Sequence, residues 1–283
     1  MTRSKTYEQL TFTDDFMFCK ILSTDLELTK DLLELILGIS ISKVELAQSQ
    51  KELKFTPADH GVRFDVYVED DDHTVYDIEM QATNKPHIGK RMRYYQGMLD
   101  LSMIEAGGNY RDLKKSYIIF ICTTKPSFFK VNLPVYTFKS VCREDPSVTL
   151  GDEATKKIIN ADGYLAPLSP ALQAFLKFVK DHQPTDDLTR RIEEKVITAR
   201  ASKNWREEFM TFEMKLDEAR EEAREEGKAE GIIEGEAKGE ANALKMLTLL
   251  YQHCKENNRL EDYEKALKDS DFRQALFLEF GIN

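Results

Sequence analysis

The chain is 283 residues long, 41% hydrophobic and 10% aromatic, enough to build a core in one large domain or two modest ones, which excludes a wholly disordered protein. Its four cysteines, Cys19, Cys122, Cys142 and Cys254, form no CxxC pair, which argues against a disulfide scaffold or a zinc ribbon. The net charge of −10 is unevenly spread: residues 207–240 hold 13 acidic and 5 basic side chains, whereas residues 84–139 hold 10 basic and 3 acidic, so binding to a polyanion stays open.

No apolar leader opens the chain, and the longest aliphatic run is about 118–122, so a cytoplasmic protein with reduced thiols and no membrane span is expected. Residues 1–165 are expected to form a mixed α/β domain. A short helix is predicted near residues 14–22. Thr24 and Glu27 have the spacing of a capping box ahead of Leu28, Leu32, Leu33, Ile36 and Leu37, and Gly38 supplies a stop. A strand is expected at 39–47. Two alternating runs on either side of an acidic turn, GVRFDVYVEDDDHTVYDIEMQA, predict a hairpin. Pro86 opens a helix to about residue 104, closed by Gly107 and Gly108. Strands are expected at 116–123 and 135–141, with Asn160 and Gly163 ending the domain.

Beyond this domain the composition turns helical. Residues 166–206 are expected as a helical extension, 207–243 as an acidic helix or linker, and 244–283 as a small helical segment. In the middle piece Ala219, Ala223, Gly227, Gly231, Gly235, Gly239 and Ala243 recur every four residues. Four glycines inside a helix cost ~1 kcal/mol each relative to Ala, which self-association or folding back could offset. A homo-oligomer formed through this region is the expectation.

The hairpin carries the chemistry. Alternation sets Val62, Phe64, Val66 and Val68 on one face and Arg63, Asp65, Tyr67 and Glu69 on the other; Asp77, Glu79 and Gln81 form the polar face of the second strand. If the apolar faces share a core, Asp65 lies opposite Glu79 or Asp77. Two carboxylates on one face, with a polar residue two positions on, suit Mg²⁺, which prefers oxygen ligands. A solvated polar face is the alternative reading.

The spacing D-x13-E-x-Q resembles the active-site signature of PD-(D/E)XK nucleases, and the order helix, strand, hairpin, helix, strand resembles their core. FTDDFMFCKIL, FDVYVED, YDIEMQ, RMRYYQGML and the Glu-Gly-rich tail resemble the Rpn family of recombination-promoting nucleases, also called PD-(D/E)XK family transposases. The resemblance implies a restriction-endonuclease-like fold: a central mixed sheet flanked by helices, then an α-helical C-terminal region. It implies a metal-dependent DNA endonuclease linked to recombination, mobile elements or defence, with Asp65, Glu79 and Gln81 catalytic. Asp65, Glu79 and the Met80 carbonyl would hold Mg²⁺, or Mn²⁺ or Ca²⁺. Gln81 stands where the superfamily more often has Lys, and a neutral amide can only orient water. A catalytically weak DNA-binding or oligomerisation module is therefore the alternative.

Lys90, Arg91, Arg93 and Tyr95 on the following helix are candidate DNA contacts. Arg91 and Tyr95, four apart, share a face that meets either phosphate and base or the sheet. Asp14 and Asp15 are expected to cap or brace the first helix. No HExxH, GxxxxGK[ST] or GxGxxG pattern occurs, so neither a zinc hydrolase nor a nucleotide cofactor is expected.

Overall fold

The computed structural model describes residues 5–53, 62–104 and 107–282. They fall into two compact units, Met1–Phe209 and Met210–Asn283. In the first, helices α1 (Asp15–Thr24) and α2 (Leu26–Leu37) precede strands β1 (Val44–Leu53), β2 (Val62–Asp70) and β3 (Val75–Gln81). Helix α3 (Ile88–Met103) leads to β4 (Ser116–Cys122), β5 (Val135–Phe138) and β6 (Ala154–Asn160); α4 (Pro170–Asp181) and α5 (Asp187–Ala201) follow.

Local chemistry accounts for the boundaries. Asp25, not Thr24, caps α2: its side chain accepts from the Leu28 N–H, while the Thr24 hydroxyl donates to the Lys20 carbonyl and so finishes α1. Gly38 closes α2 at φ 69°, a left-handed conformation that glycine adopts without strain. The strand expected at 39–47 starts later, at Val44, and runs on to Leu53. The strand expected at 135–141 stops at Phe138.

The sheet order is β1-β2-β3-β4-β6-β5, with β3, β4 and β6 parallel and the other pairs antiparallel. Strand β6 is one the sequence reading missed. Its sequence, ATKKIIN, puts two lysines before Ile158 and Ile159, and it becomes a strand because β4 and β5 flank it. Every residue of β4 is buried, as expected for a central strand covered on both faces. Ile118, Phe120 and Cys122 pack with Ile88, Met92, Met98 and Leu99 of α3. Helices α1 and α2 lie on β1 and β2, and α5 packs against both helices. The Tyr7 hydroxyl donates to the Ala199 carbonyl at 2.6 Å, Arg191 pairs with Asp31, and Lys195 pairs with Asp25. These contacts fasten α5 to the domain.

Helix α6 (Lys203–Glu256) runs unbroken through the acidic repeat; α7 (Leu260–Lys268) and α8 (Ser270–Phe280) follow. Leu250, Cys254, Ala266, Leu276 and Ile282 form the small core of the second unit. Nothing lies within 4 Å of a Cβ placed at Gly227, Gly231, Gly235 or Gly239, so no other part of the described chain folds back onto the glycine stripe. Among the described residues no helix is long and apolar enough to cross a membrane.

Candidate active site

The acidic turn of the hairpin is built by Asp70, which accepts from the Asp72 and Thr74 N–H groups and from the Tyr76 hydroxyl. From this turn β2 and β3 pair with Val66 opposite Ile78 and Tyr67 opposite Asp77. Continued, that register sets Asp65 opposite Glu79. The ladder ends before this point, and the two acids take over from it. The Asp65 N–H donates to Glu79 Oε1 at 2.8 Å, and the Met80 N–H donates to Asp65 Oδ2 at 3.0 Å. Two backbone donors, freed where the strands part, thereby hold both carboxylates in place.

Strict alternation fails at the same point, which corrects the expected faces. Phe64 and Tyr67, three residues apart, belong to one cluster on the α3 side. Ser49 and Lys51 pair with Val66 and Phe64, but no ladder pair joins Gln50 to Asp65, and Gln50 has φ 52°. The regular pairing of the two strands is interrupted there. Phe64 meets Tyr95 of α3 edge-on, whereas Asp65 approaches Asp15 and Cys19 of α1.

One ligand atom from each of Asp15, Cys19 and Asp65 lies within 4.8 Å of the other two. The Cys19 thiol donates to Asp15 Oδ1 at 3.3 Å, and Arg63 lies 3.6 Å from Asp15 Oδ2. The adjacent acid, Asp14, turns elsewhere: it accepts from the N–H and hydroxyl of Thr11 and pairs with Lys5. The two acids expected to brace the helix are thus divided, Asp14 to the turn before α1 and Asp15 to the cluster.

Asp77, opposite Tyr67 and beside Ile118 on the α3 face of the sheet, is fully buried; it meets the Glu79 carboxyl, and no N–H reaches either of its oxygens. Burial drives its pKa well above the usual carboxylate range, and the neighbouring Glu79 and Asp65 carboxylates add to the rise. Glu79 is pushed up to about 8, first by burial and then by Asp65, against the pull of the Asp65 N–H and Arg91. Asp65 is pushed up to about 6 by burial and by Asp15. Burial, then Asp65 and Asp15, also raise the Cys19 thiol. Carboxyls packed together with too few donors repel one another, and a divalent cation would relieve that repulsion. The donor set fits such an ion.

Gln81 has both ends of its amide engaged. Its Oε1 accepts from Arg91, and its Nε2 donates to the Thr83 carbonyl at 2.6 Å. Arg91 comes within 3.9 Å of Glu79 Oε2 and lies over the rings of Phe120 and Tyr95, at 5.1 and 5.7 Å. The four basic and aromatic candidates on α3 therefore separate. Lys90 and Arg93 are exposed; Arg91 and Tyr95 turn toward the sheet, with Tyr95 packed against Phe64 and Phe120.

The sequence reading did not include Asp15, Cys19 or Asp77 among the site residues. The four-residue spacing of Asp15 and Cys19 on a predicted helix is a weak signal. Asp77 offers a stronger one, an acid between Tyr76 and Ile78 in a strand flanked on both sides.

Comparison with curated proteins and with solved structures finds no match. Residues 12–132 match the family model described as PD-(D/E)XK nuclease family transposase. That span runs from just before α1 past β4 and holds Asp15, Asp65, Asp77, Glu79, Gln81 and Arg91. The mixed six-stranded sheet flanked by helices is consistent with the PD-(D/E)XK fold, and the match supports a nuclease-type function. Over residues 12–132 this chain is thus similar to the PD-(D/E)XK nuclease family transposase domain.

Proposed function

We propose that the protein is a metal-dependent DNA endonuclease of the Rpn kind, acting in the cytoplasm in recombination, mobile-element movement or defence against foreign DNA. Asp65, Glu79 and the Met80 carbonyl would hold Mg²⁺, with Mn²⁺ or Ca²⁺ as substitutes, and Asp15 would approach from α1. When bound, the cation lowers the pKa of a water and neutralises charge on the phosphodiester.

The chain's own residues do the rest. The Asp65 and Met80 N–H groups hold the carboxylates at a fixed spacing. Gln81 holds Arg91 beside Glu79, so positive charge that a Lys would bring on β3 comes from α3 instead. Lys90 and Arg93, on the exposed side of α3, pair with backbone phosphates and make binding salt-dependent. Self-association through residues 207–283 belongs to the same proposal, with the open glycine stripe of α6 as the contact.

The observation that carries this reading is the pair of cross-strand bonds, from the Asp65 N–H to Glu79 and from the Met80 N–H to Asp65, that holds the two carboxylates side by side where the strands part. Plasmid nicking at low salt with Mg²⁺, Mn²⁺, Ca²⁺ or EDTA tests it. Metal-dependent cleavage lost in both Asp65→Ala and Glu79→Ala is the expected result; cleavage that survives both substitutions sinks the assignment.

The neutral Gln81 favours a second reading, a nuclease-fold module that binds DNA and turns over weakly or not at all. Equal DNA binding by the unaltered protein and by Asp65→Ala, with no cleavage by either, would decide for it.

A further inference from the structure

Between β4 and β5 the chain exposes aromatic rings that no apolar partner covers. Phe128 is 53% exposed and Phe138 43%. Both flank Phe129, whose ring centre lies 4.2 Å from that of Phe128 and 6.1 Å from that of Phe138. Phe129 in turn stacks on Tyr136 of β5 at 4.1 Å and packs against the apolar cluster that α3 covers. Polar contacts fix the loop beneath these rings. The Tyr136 hydroxyl donates to the Val131 carbonyl and accepts from the Leu133 N–H, while buried Asn160 donates to the Leu133 carbonyl and to Asn132 Oδ1. Rings held this way lose little freedom when a ligand lies on them.

The patch stands at the end of the sheet where Gln81 lies. Strands β3 and β4 run parallel with Gln81 beside Cys122, so the chain leaves both at the same end. There the Thr123 N–H donates to the Gln81 carbonyl at 3.1 Å, and the Ser127 N–H donates to Asn84 Oδ1 at 3.3 Å. The loop that carries Phe128 is thereby fastened to the loop that follows Gln81. Exposed Lys85 lies on that second loop, and exposed Lys130 follows Phe129. Lys156 pairs with Phe138 across β5 and β6, which puts it on the same face of the sheet as that ring.

The lysines decide what covers the rings. Protein interfaces are depleted in Lys, whereas an unpaired nucleic-acid strand uses both parts, ring faces for its bases and ammonium groups for its phosphates. The excess of 10 basic over 3 acidic residues across 84–139 has the matching sign. We propose that Phe128 and Phe138, backed by Phe129, form a stacking platform for an unpaired DNA strand, with Lys130 and Lys156 on its phosphates. The proposal deepens the nuclease reading and rests on it: the substrate carries a single-stranded segment next to the bond that is cut.

The test measures binding by the full chain in EDTA, so that no strand is cut, to three fluorescent probes: a single-stranded dT oligonucleotide, an abasic strand of the same length and charge, and a duplex. Anisotropy should show dT bound more tightly than the abasic strand. Phe128→Ala and Phe128→Leu should each weaken dT binding by roughly 10-fold, the scale of one lost base–ring stack, and leave duplex binding as it was. Phe128→Tyr, which keeps a ring, should bind dT like the unaltered protein. The proposal is overturned if Phe128→Leu binds dT as tightly as the unaltered protein, or if the abasic strand binds as tightly as dT. It is overturned too if the patch joins two copies, in which case Phe128→Ala lowers the association state in sedimentation and leaves dT binding alone. Protein that binds dT through Phe128 and never cleaves with Mg²⁺ retires the nuclease reading and keeps the platform. Protein that cleaves with Mg²⁺, loses cleavage in Asp65→Ala and binds dT without regard to Phe128 does the reverse.

Discussion

Acidic residues crowd two regions of this chain, and the two regions treat them in opposite ways. Between residues 207 and 240, 13 carboxylates ride on one exposed helix, where water takes their charge and partners such as Arg220–Asp217 and Lys238–Glu234 lie a turn apart. In the β2–β3 hairpin only three matter, Asp65, Asp77 and Glu79, and burial drives all three toward their protonated forms. The dense region has room for every charge. The sparse one has nowhere to put three. Burial of several carboxyls together, and not acid density, marks the place where a cation would be held.

The sharpest way to break that contrast is to remove one acid from each region. Asp65→Ala or Glu79→Ala should lower Mg²⁺-supported plasmid cleavage by roughly 10²–10³-fold or more, since each removes charge placed at the reacting phosphate. Glu221→Ala in the exposed helix should leave the rate unchanged. Equal losses in the two regions would mean that acid density, not burial, governs activity.

Next in size is the contrast between two arginines two residues apart on α3. Arg91 turns inward to Gln81 and Glu79, whereas Arg93 is exposed. Arg91→Met should cost roughly 10²-fold in the cleavage step at saturating DNA, the scale of a lost charge-stabilising donor. Arg93→Ala should instead weaken binding across sequences and lower the salt slope by about one ion. Swapped outcomes would show that Arg91 leaves the site when DNA binds.

Proton linkage gives a third, smaller effect. Asp65 rises from 3.8 to about 6 and Glu79 from 4.5 to about 8. Both folded values lie above the unfolded ones, so the folded protein holds more protons across this window. The stability they contribute is complete below about pH 4 and is lost as pH rises through about 6 and then about 8. The melting temperature without metal should therefore fall between about pH 5 and about pH 8.5. Glu79→Gln should flatten that fall, and Mg²⁺ should raise the melting temperature more at the upper end than at the lower. A melting temperature that climbs across the window would show that these carboxyls are not buried together.

Much of the hairpin was legible because period-two alternation is a local signal. The two apolar runs put Asp65 opposite Glu79 or Asp77, and the observed register continues to the first of these pairs. The interruption of the pairing was not legible, because it arises where Gln50 of β1 and Asp65 of β2 both leave the ladder, and nothing in either run announces the other. The approach of Asp15 and Cys19 was hidden for the same reason: about fifty residues separate them from Asp65, and only packing of α1 on β2 brings them close. On α3 the helical period put Arg91 and Tyr95 on one face without saying which face is inward; the ring contacts of Tyr95 with Phe64 and Phe120 decide it. Strand β6 was lost because its pairing partners, not its two lysines, make it a strand.

The smallest effect belongs to the glycine stripe, and it bears most directly on what the exposed region is for. Each of Gly231→Ala and Gly235→Ala should stabilise α6 by about 1 kcal/mol, since Ala is the better helix former and nothing lies within 4 Å of the added methyl. Helix content on heating, followed by circular dichroism, reads that gain. Sedimentation of the same variants tells a spectator surface from a contact. If the stripe only faces water, the association state stays as it was and the helix simply melts later. If a second copy packs there, the added methyls hold the two backbones apart, and the assembly dissociates at higher concentration even as each helix gains stability. Opposite signs in these two readings would show that the glycines serve close approach between chains, a task for which their cost to the helix is the necessary condition.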